Sequence, residues 1–503
     1  MEAGLLQNVT TELTNGVSRA LQFIKKNIWL FLITSTLLVV PCIWHRHIEA
    51  GDLASHVYNA WLAQLIQKGQ APGLYLAPQW NNVLLDVSLL RVASVAGFSA
   101  AEKTVVSTCV LIFFWGVFAL ISTTTGRSPW FLAPCIAMLA YGYTFNMGFL
   151  NYYLSLGLAC FGLALLWRGN RIDWVMGAFV VPLVLLAHPI GFLWLLGSIT
   201  YAQIRSKLTS WWRLAPAVIA VGSFVAIHWY LAHRAKLALD WPEQPVYFFN
   251  GADQLVLYGP RYIWLAGAAF AFGVLCFAVH VWQERKSWLS GNAFVFLLEL
   301  YLVAFCATSL LPENLRPSIY AGWIGLLVSR LTTISAIFGL CIMGYLKPRN
   351  WQALGFSACA VVFFILLYED TSVLNRMEAS AEKLVSELPY GTRVVPIISA
   401  APDSRIQFIG HSVDRACIGH CFTYSNYEAS SRQFRVRVEQ GSPVVTSSAD
   451  DAEDMQGGSY EVQETDLPLK VIYQCDPADG TKLCLRDLAE GETTGNAASH
   501  AQN

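Results

Sequence analysis

The sequence predicts an all-α polytopic membrane bundle of about eleven transmembrane helices, with external amphipathic helices and a small C-terminal α+β or β-rich soluble domain. Three observations predict it. Of the 503 residues, 55% are hydrophobic and only 13% are charged, against about 25% charged in an average soluble domain. Apolar runs of membrane-spanning length recur from Asn27 to Tyr368. From about Thr371 the composition turns abruptly to that of a soluble domain. The mean hydropathy of +0.45 agrees with a largely lipid-embedded chain. A net charge of -1, with no basic stretch, leaves no footprint for nucleic acid.

The expected spans are roughly 27–44, 104–122, 131–147, 150–167, 173–189, 190–204, 214–232, 262–281, 291–311, 322–346 and 351–368. The first run ends at Trp44-His45-Arg46 without a small-residue cleavage site, so it reads as a retained anchor. Orientation follows from cations in the short turns. Lys25 and Lys26 precede the first span. Alternation then puts Arg127, Arg168 with Arg171, Arg205 with Lys207 and Arg213, Arg285 with Lys286, and Lys347 with Arg349 on the same side. The expected frame is a cytoplasmic N-terminus over residues 1–26, a transmembrane domain over 27–368, and an external C-terminus. The external segments are 45–103, 233–261, 312–321 and the chain after about Glu369. Counting 82–98 as a span would invert every later basic turn. It therefore reads as an external, interfacial or re-entrant helix whose Asp86 and Arg91 reach water.

The C-terminal segment 369–489 reads as a soluble domain. Its β-like runs are Arg393 to Ile398, Phe434 to Val438 and Lys470 to Tyr473. Small polar residues over 490–503 predict disorder. Four of the twelve cysteines fall here, Cys417, Cys421, Cys475 and Cys484. An even number in an external domain predicts two disulfides in one of three pairings. The competing arrangement is a metal site of Cys417, Cys421, His411 and His420, although Cys-x3-Cys lacks the usual zinc-knuckle spacing.

The most informative stretch opens the first external loop, from Ile48 to Ala63. On a helix Asp52, His56 and Asn59 recur at i, i+4 and i+7, and Glu49 lies one turn upstream. Leu53, Val57, Tyr58, Trp61, Leu62 and Leu65 form the opposite face, suited to the membrane or the bundle. An acid, an imidazole and an amide pointing one way can bind a sugar, or a phosphate through a metal. Asp52 after Gly51 is equally a helix N-cap.

A first span, a long external loop opening with acids, about eleven spans and an external C-terminal domain resemble the GT-C glycosyltransferases, in an uncharacterised bacterial branch. Gly69-Gln70-Ala71-Pro72-Gly73-Leu74-Tyr75 resembles the G-x-x-P turn after the first juxtamembrane helix of bacterial members. Gly148-Phe149-Leu150-Asn151-Tyr152-Tyr153 and Ala187-His188-Pro189 resemble further stretches of such proteins. The resemblance covers the architecture of 27–368 and implies a multi-pass protein of the bacterial inner membrane. It implies sugar transfer from a polyprenyl-phosphate donor to an external lipid, glycan or protein acceptor. By position Asp52 would be the general base or a ligand of a divalent cation such as Mg or Mn, with Glu49 as accessory acid and His56 assisting. The family's acids are adjacent or one residue apart, whereas here two residues separate Glu49 from Asp52.

A lipid phosphate at the outer interface needs cations. Arg330 stands out as an arginine about two turns inside a span; its bland alternative is an interhelical pair with Glu313. Arg261, Arg316, His188 and Asn59 are the other candidate substrate-binding residues, and each also has an ordinary structural reading. Asn146 and Asn151 flank Gly148 and suit a kinked backbone. Glu299, mid-span, suits a pair within the bundle. No nucleotide loop, nucleophile elbow or Walker motif is present in the sequence. The reading from a different class is a non-catalytic lipid or glycan transporter, or an envelope assembly factor that uses its external domain.

Overall fold

The computed structural model describes residues 27–495 except 169–170, 242–249, 285–291, 318–321 and 477. The N-terminal segment 1–26 therefore lies outside the described residues. Helices α1 (Ile28–Ile43), α2 (Leu53–Gln67), α3 (Leu84–Ala96) and α4 (Phe98–Thr125) come first, with strand β1 (Leu74–Leu76) after α2. Then follow α5 (Ala133–Ala140), α6 (Tyr143–Asn146), α7 (Leu150–Arg168), α8 (Arg171–Ala187), α9 (Pro189–Lys207) and α10 (Ala215–His233). Strand β2 (Ala238–Asp240), α11 (Pro260–Glu284), α12 (Asn292–Leu310), β3 (Asn314–Arg316), α13 (Leu327–Met343) and α14 (Asn350–Ser386) complete the helical part.

Among the described residues six helices are long and apolar enough to cross a membrane: Phe98–Thr125, Leu150–Trp167, Trp211–His233, Pro260–Gln283, Ala293–Leu310 and Asn350–Ser386. Each matches an expected span. Ile28–Ile43, Asp173–Ala187 and Leu327–Met343 are apolar but shorter. The expected span 131–147 is broken. Gly142 is extended (ψ -169°) between α5 and α6, and Asn146 Nδ2 satisfies the freed carbonyls of Tyr141 (2.7 Å) and Gly142 (3.2 Å). The kink reading of Asn146 is what the fold shows. Helix α3 has 13 residues, roughly 20 Å at 1.5 Å per residue, too short for a hydrocarbon core of about 30 Å.

The helices pack closely where small residues allow it. A Cβ on Gly116 of α4 would meet the Gly157 carbonyl oxygen of α7 at 2.3 Å, so the two backbones touch. Trp229, Trp264 and Phe179 stay more than half exposed, as side chains facing lipid would. Mid-span Glu299 accepts from Arg205 Nε at 2.7 Å and from Tyr201, so both charges are satisfied inside the bundle. The Arg127 guanidinium holds the carbonyls of Gly344 and Leu346, and Arg349 reaches Gln283. Turns expected on one side are thus neighbours.

The opposite end carries the C-terminal domain. Its elements are β4 (Thr392–Ile397), α15 (His411–Ala416), β5 (Cys421–Thr423), α16 (Tyr427–Ser431), β6 (Val436–Val438), α17 (Ala449–Gly457), β7 (Lys470–Gln474) and β8 (Leu483–Asp487). Four strands form a sheet in the order β5-β4-β7-β8, parallel except for the antiparallel β7–β8 pair. Strand β6 pairs instead with β1, Leu74 opposite Val438, so the first loop and the domain share one face of the bundle. The disulfides are Cys417–Cys421 and Cys475–Cys484, which removes those thiols from the alternative metal site. The expected boundary at 368/369 falls inside α14. That helix has 37 residues, roughly 55 Å, so it leaves the bilayer and becomes part of the domain, burying Met377, Glu378, Ala381 and Val385. Nor is 490–495 disordered. Thr494 and Gly495 donate to the carbonyls of Tyr460 and Gly458; residues 496–503 lie outside the described residues.

One buried cation holds these parts together. Arg415 of α15 binds Glu378 of α14 through both Nε (2.6 Å) and Nη2. Its Nη1 donates to Glu102 of α4 (2.9 Å) and to the Ile48 carbonyl (3.2 Å), and Glu49 lies 3.5 Å from Nη2. Breaking a buried network by removing one partner leaves uncompensated charge. Arg415→Met is expected to destabilise the protein by about 3–5 kcal/mol, read as a lowered unfolding midpoint in detergent. Arg415→Lys should recover only part of the loss, because a point charge cannot fork between carboxylates.

Candidate active site

Helix α2, expected to lay its apolar face on the membrane or the bundle, is covered on both faces. Twelve of its 15 residues are buried, because the C-terminal domain lies on the polar side. Its entry is set by backbone. Gly51 and Asp52 donate to the carbonyls of Asn146 and Met147 (2.8 and 3.0 Å). Gly148 turns away at φ +81°, and a Cβ there would meet Asp52 N at 2.4 Å, so only glycine fits.

Asp52 precedes the helix but does not cap it: its side chain accepts no backbone N–H. Instead Oδ1 accepts the Tyr427 hydroxyl (3.1 Å) and stands 3.6 Å from His411 Nε2. That gap exceeds a hydrogen bond, and His411 Nε2 has no other partner. On its far side His411 Nδ1 bonds Asp414 at 2.6 Å. Burial works against charge on His411, but Asp414, Asp52 and Glu428 together raise its pKa above the usual histidine value. Burial and the neighbouring Asp52 push Tyr427 well up, so it remains a phenol donor.

Arg330 comes to the same corner through Phe149, which follows the Gly148 packed against Asp52 N. Its guanidinium lies 3.8 Å over the Phe149 ring, its Nε is buried without a hydrogen bond, and it makes no ion pair among the described residues. Glu313, the alternative partner, is engaged by Ser329 (2.5 Å). Asp52, His411, Tyr427 and Arg330 thus lie at one corner of the seam, and Arg330 has no carboxylate at ion-pair distance among the described residues.

The other expected site residues are placed elsewhere. Glu49 turns to Arg415, so it does not stand beside Asp52 as a second ligand. His56 Nδ1 bonds Asp86 Oδ1 at 2.8 Å; Asp86 is half-buried between His56 and Asn151, whereas Arg91 is exposed. Asn59 ties Ser55 to Asn426 Nδ2 (3.0 Å). His188 caps α9 through Nδ1, accepting from Ile190 N (3.2 Å), with its ring on Tyr152. Arg261 bridges Glu369 and Asp370 (3.0 and 2.8 Å), and Arg316 pairs with Asp450 (2.6 Å); both lie outside the cluster. Asn151 supports backbone, accepting from Leu85 N. Among the described residues no group of three or more His, Cys, Asp or Glu side chains could hold a metal ion.

Tyr427, Glu428 and Asp414 escaped the sequence reading, as did the role of His411 beside Asp52. The available signal was the i, i+3 pair His411–Asp414 in a polar domain. Compared with family models, curated proteins and solved structures, the chain matches none.

Two buried groups make stability depend on pH. Burial raises Glu428 from 4.5 to about 7, even beside His56. A raised acid stabilises the fold below its unfolded value and loses that contribution as pH rises through the folded one. The unfolding midpoint should therefore fall between about pH 4.5 and 7, and Glu428→Gln should flatten that segment. His56 rises to about 10 because Asp86 outweighs the opposing burial, so its contribution is complete below about 6.5 and lost towards pH 10. Thermal unfolding across pH 4–10 checks both; an unchanged slope in Glu428→Gln would refute the assignment.

Proposed function

We propose that the protein is a membrane glycosyltransferase of the GT-C type, moving a sugar from a polyprenyl-phosphate-linked donor to a hydroxyl acceptor on the face that carries the C-terminal domain, the outer face of a bacterial inner membrane. The reading is supported by Asp52, held by Tyr427 at the seam between bundle and domain, together with the Arg330 guanidinium over Phe149, whose buried Nε has no hydrogen bond among the described residues.

Arg330 neutralises the donor phosphate. Asp52 accepts the acceptor hydroxyl proton as the acceptor oxygen bonds to the sugar's anomeric carbon. The bond from that carbon to the phosphate oxygen breaks, and the lipid phosphate leaves with the electron pair, its charge held by Arg330. Tyr427 and His411 fix the orientation of the base, and most of the rate comes from holding the two substrates in line. An apolar groove of about 470 Å³ between α5, α11, α12 and α13 suits an isoprenoid tail. It runs to Asn250–Ala252, next to Asp253, whose carboxylate accepts from Thr332 two residues beyond Arg330.

Purified protein in vesicles holding a polyprenyl-phosphate sugar should transfer labelled sugar. Asp52→Asn should reduce transfer by roughly 10²-fold or more with an unchanged unfolding midpoint. Arg330→Gln should raise the donor KM about 10–100-fold, the loss of one charge-assisted contact of about 1.5–3 kcal/mol. Full transfer by Asp52→Asn would return the chain to the non-catalytic class of transporter or assembly factor.

A further inference from the structure

A second site lies on the domain side. A cleft of about 560 Å³ opens beside the β1–β6 ribbon, walled by Tyr75, Ser430, Arg432, Arg437, Gln440 and Ser447; its volume is within the range of small-ligand sites. Tyr75 and Arg437 are direct cross-strand partners, so ring and guanidinium leave the same face of the ribbon together. The Tyr75 ring is 42% exposed. Arg437 Nε donates to the Phe434 carbonyl (3.2 Å), which fixes the plane of the group and leaves its terminal nitrogens without a partner among the described residues.

Arg432 supplies the second cation. It ends α16 at φ +63°, a conformation that glycine adopts freely and arginine only under strain. Its side chain is exposed and makes no hydrogen bond or ion pair among the described residues. Two guanidinium groups thus border one cleft with no carboxylate to neutralise either.

We propose that this cleft binds an anionic saccharide, a sugar unit carrying a carboxylate or a phosphate. The ring stacks on Tyr75, the oxyanion is shared by Arg432 and Arg437 in forked contacts, and Ser430, Ser447 and Gln440 take hydroxyls. Helix α16 joins this cleft to the Asp52 cluster: Tyr427 touches Asp52 and Arg432 borders the cleft. No residue belongs to both sites, so the proposal stands independently of glycosyl transfer.

The test is equilibrium binding of fluorescent trigalacturonate to the full-length protein in detergent, with glucose 6-phosphate, maltotriose and inorganic phosphate as competitors. A charged sugar should bind and maltotriose should not compete. Whether trigalacturonate or glucose 6-phosphate binds more tightly separates the carboxylate source from the phosphate source. Arg437→Gln and Arg432→Gly should each weaken binding at least tenfold. Arg432→Gly should unfold at the same or a higher temperature, because glycine relieves the backbone; this separates lost binding from lost fold. Asp52→Asn should bind like the wild type, so failure of the transferase reading leaves this result untouched. The proposal is overturned if neither charged sugar binds, if maltotriose or inorganic phosphate competes as well as the charged sugars, or if the arginine variants bind unchanged.

Discussion

Everything in the proposed centre depends on how α15 is seated, and Arg415 seats it. His411 and Arg415 are four residues apart, on one face of that helix. They meet two acids three residues apart on the other side of the seam, Asp52 and Glu49. The pairing of two spacings sets both register and distance. With Glu378, Glu102 and the Ile48 carbonyl around it, the buried guanidinium is costly to move. It thereby anchors the helix that sets His411 Nε2 3.6 Å from Asp52.

The charges of the chain fall into two groups. Arg261, Arg316, Arg205 and Arg415 each have a carboxylate, and their energies lie in the fold. Arg330, Arg432 and Arg437 have none among the described residues. Arg330 is the most costly, since its Nε is buried beside the Phe149 ring. A polar group left unsatisfied in a low-dielectric interior destabilises the protein.

Much of this was legible in the residues. The hydropathy pattern located each of the six helices that, among the described residues, are able to cross a membrane, because length and apolarity alone decide that property. The β-like runs at 393–398, 434–438 and 470–473 became β4, β6 and β7. Helical periodicity singled out Asp52, and the cost of an arginine in an apolar run singled out Arg330, as candidates. What sequence could not show was partnership across the chain. Glu49 and Asp52 look equivalent in a helical wheel, yet one neutralises Arg415 and the other does not. Asp86 reads as a surface acid until the bundle brings His56 against it. The boundary at 368 failed because a change in composition marks where lipid ends, not where a helix ends.

The Arg415 network also fixes an order of biogenesis. Ile48 and Arg415 are separated by 367 residues, roughly 20–70 s of translation at about 5–20 residues per second. Through that interval Glu49 and Glu102 have no guanidinium to meet, and α2 lacks the domain that covers its polar side. The seam can therefore close only after residue 415 has been made, and the segment that follows α14 is the one that closes the first loop.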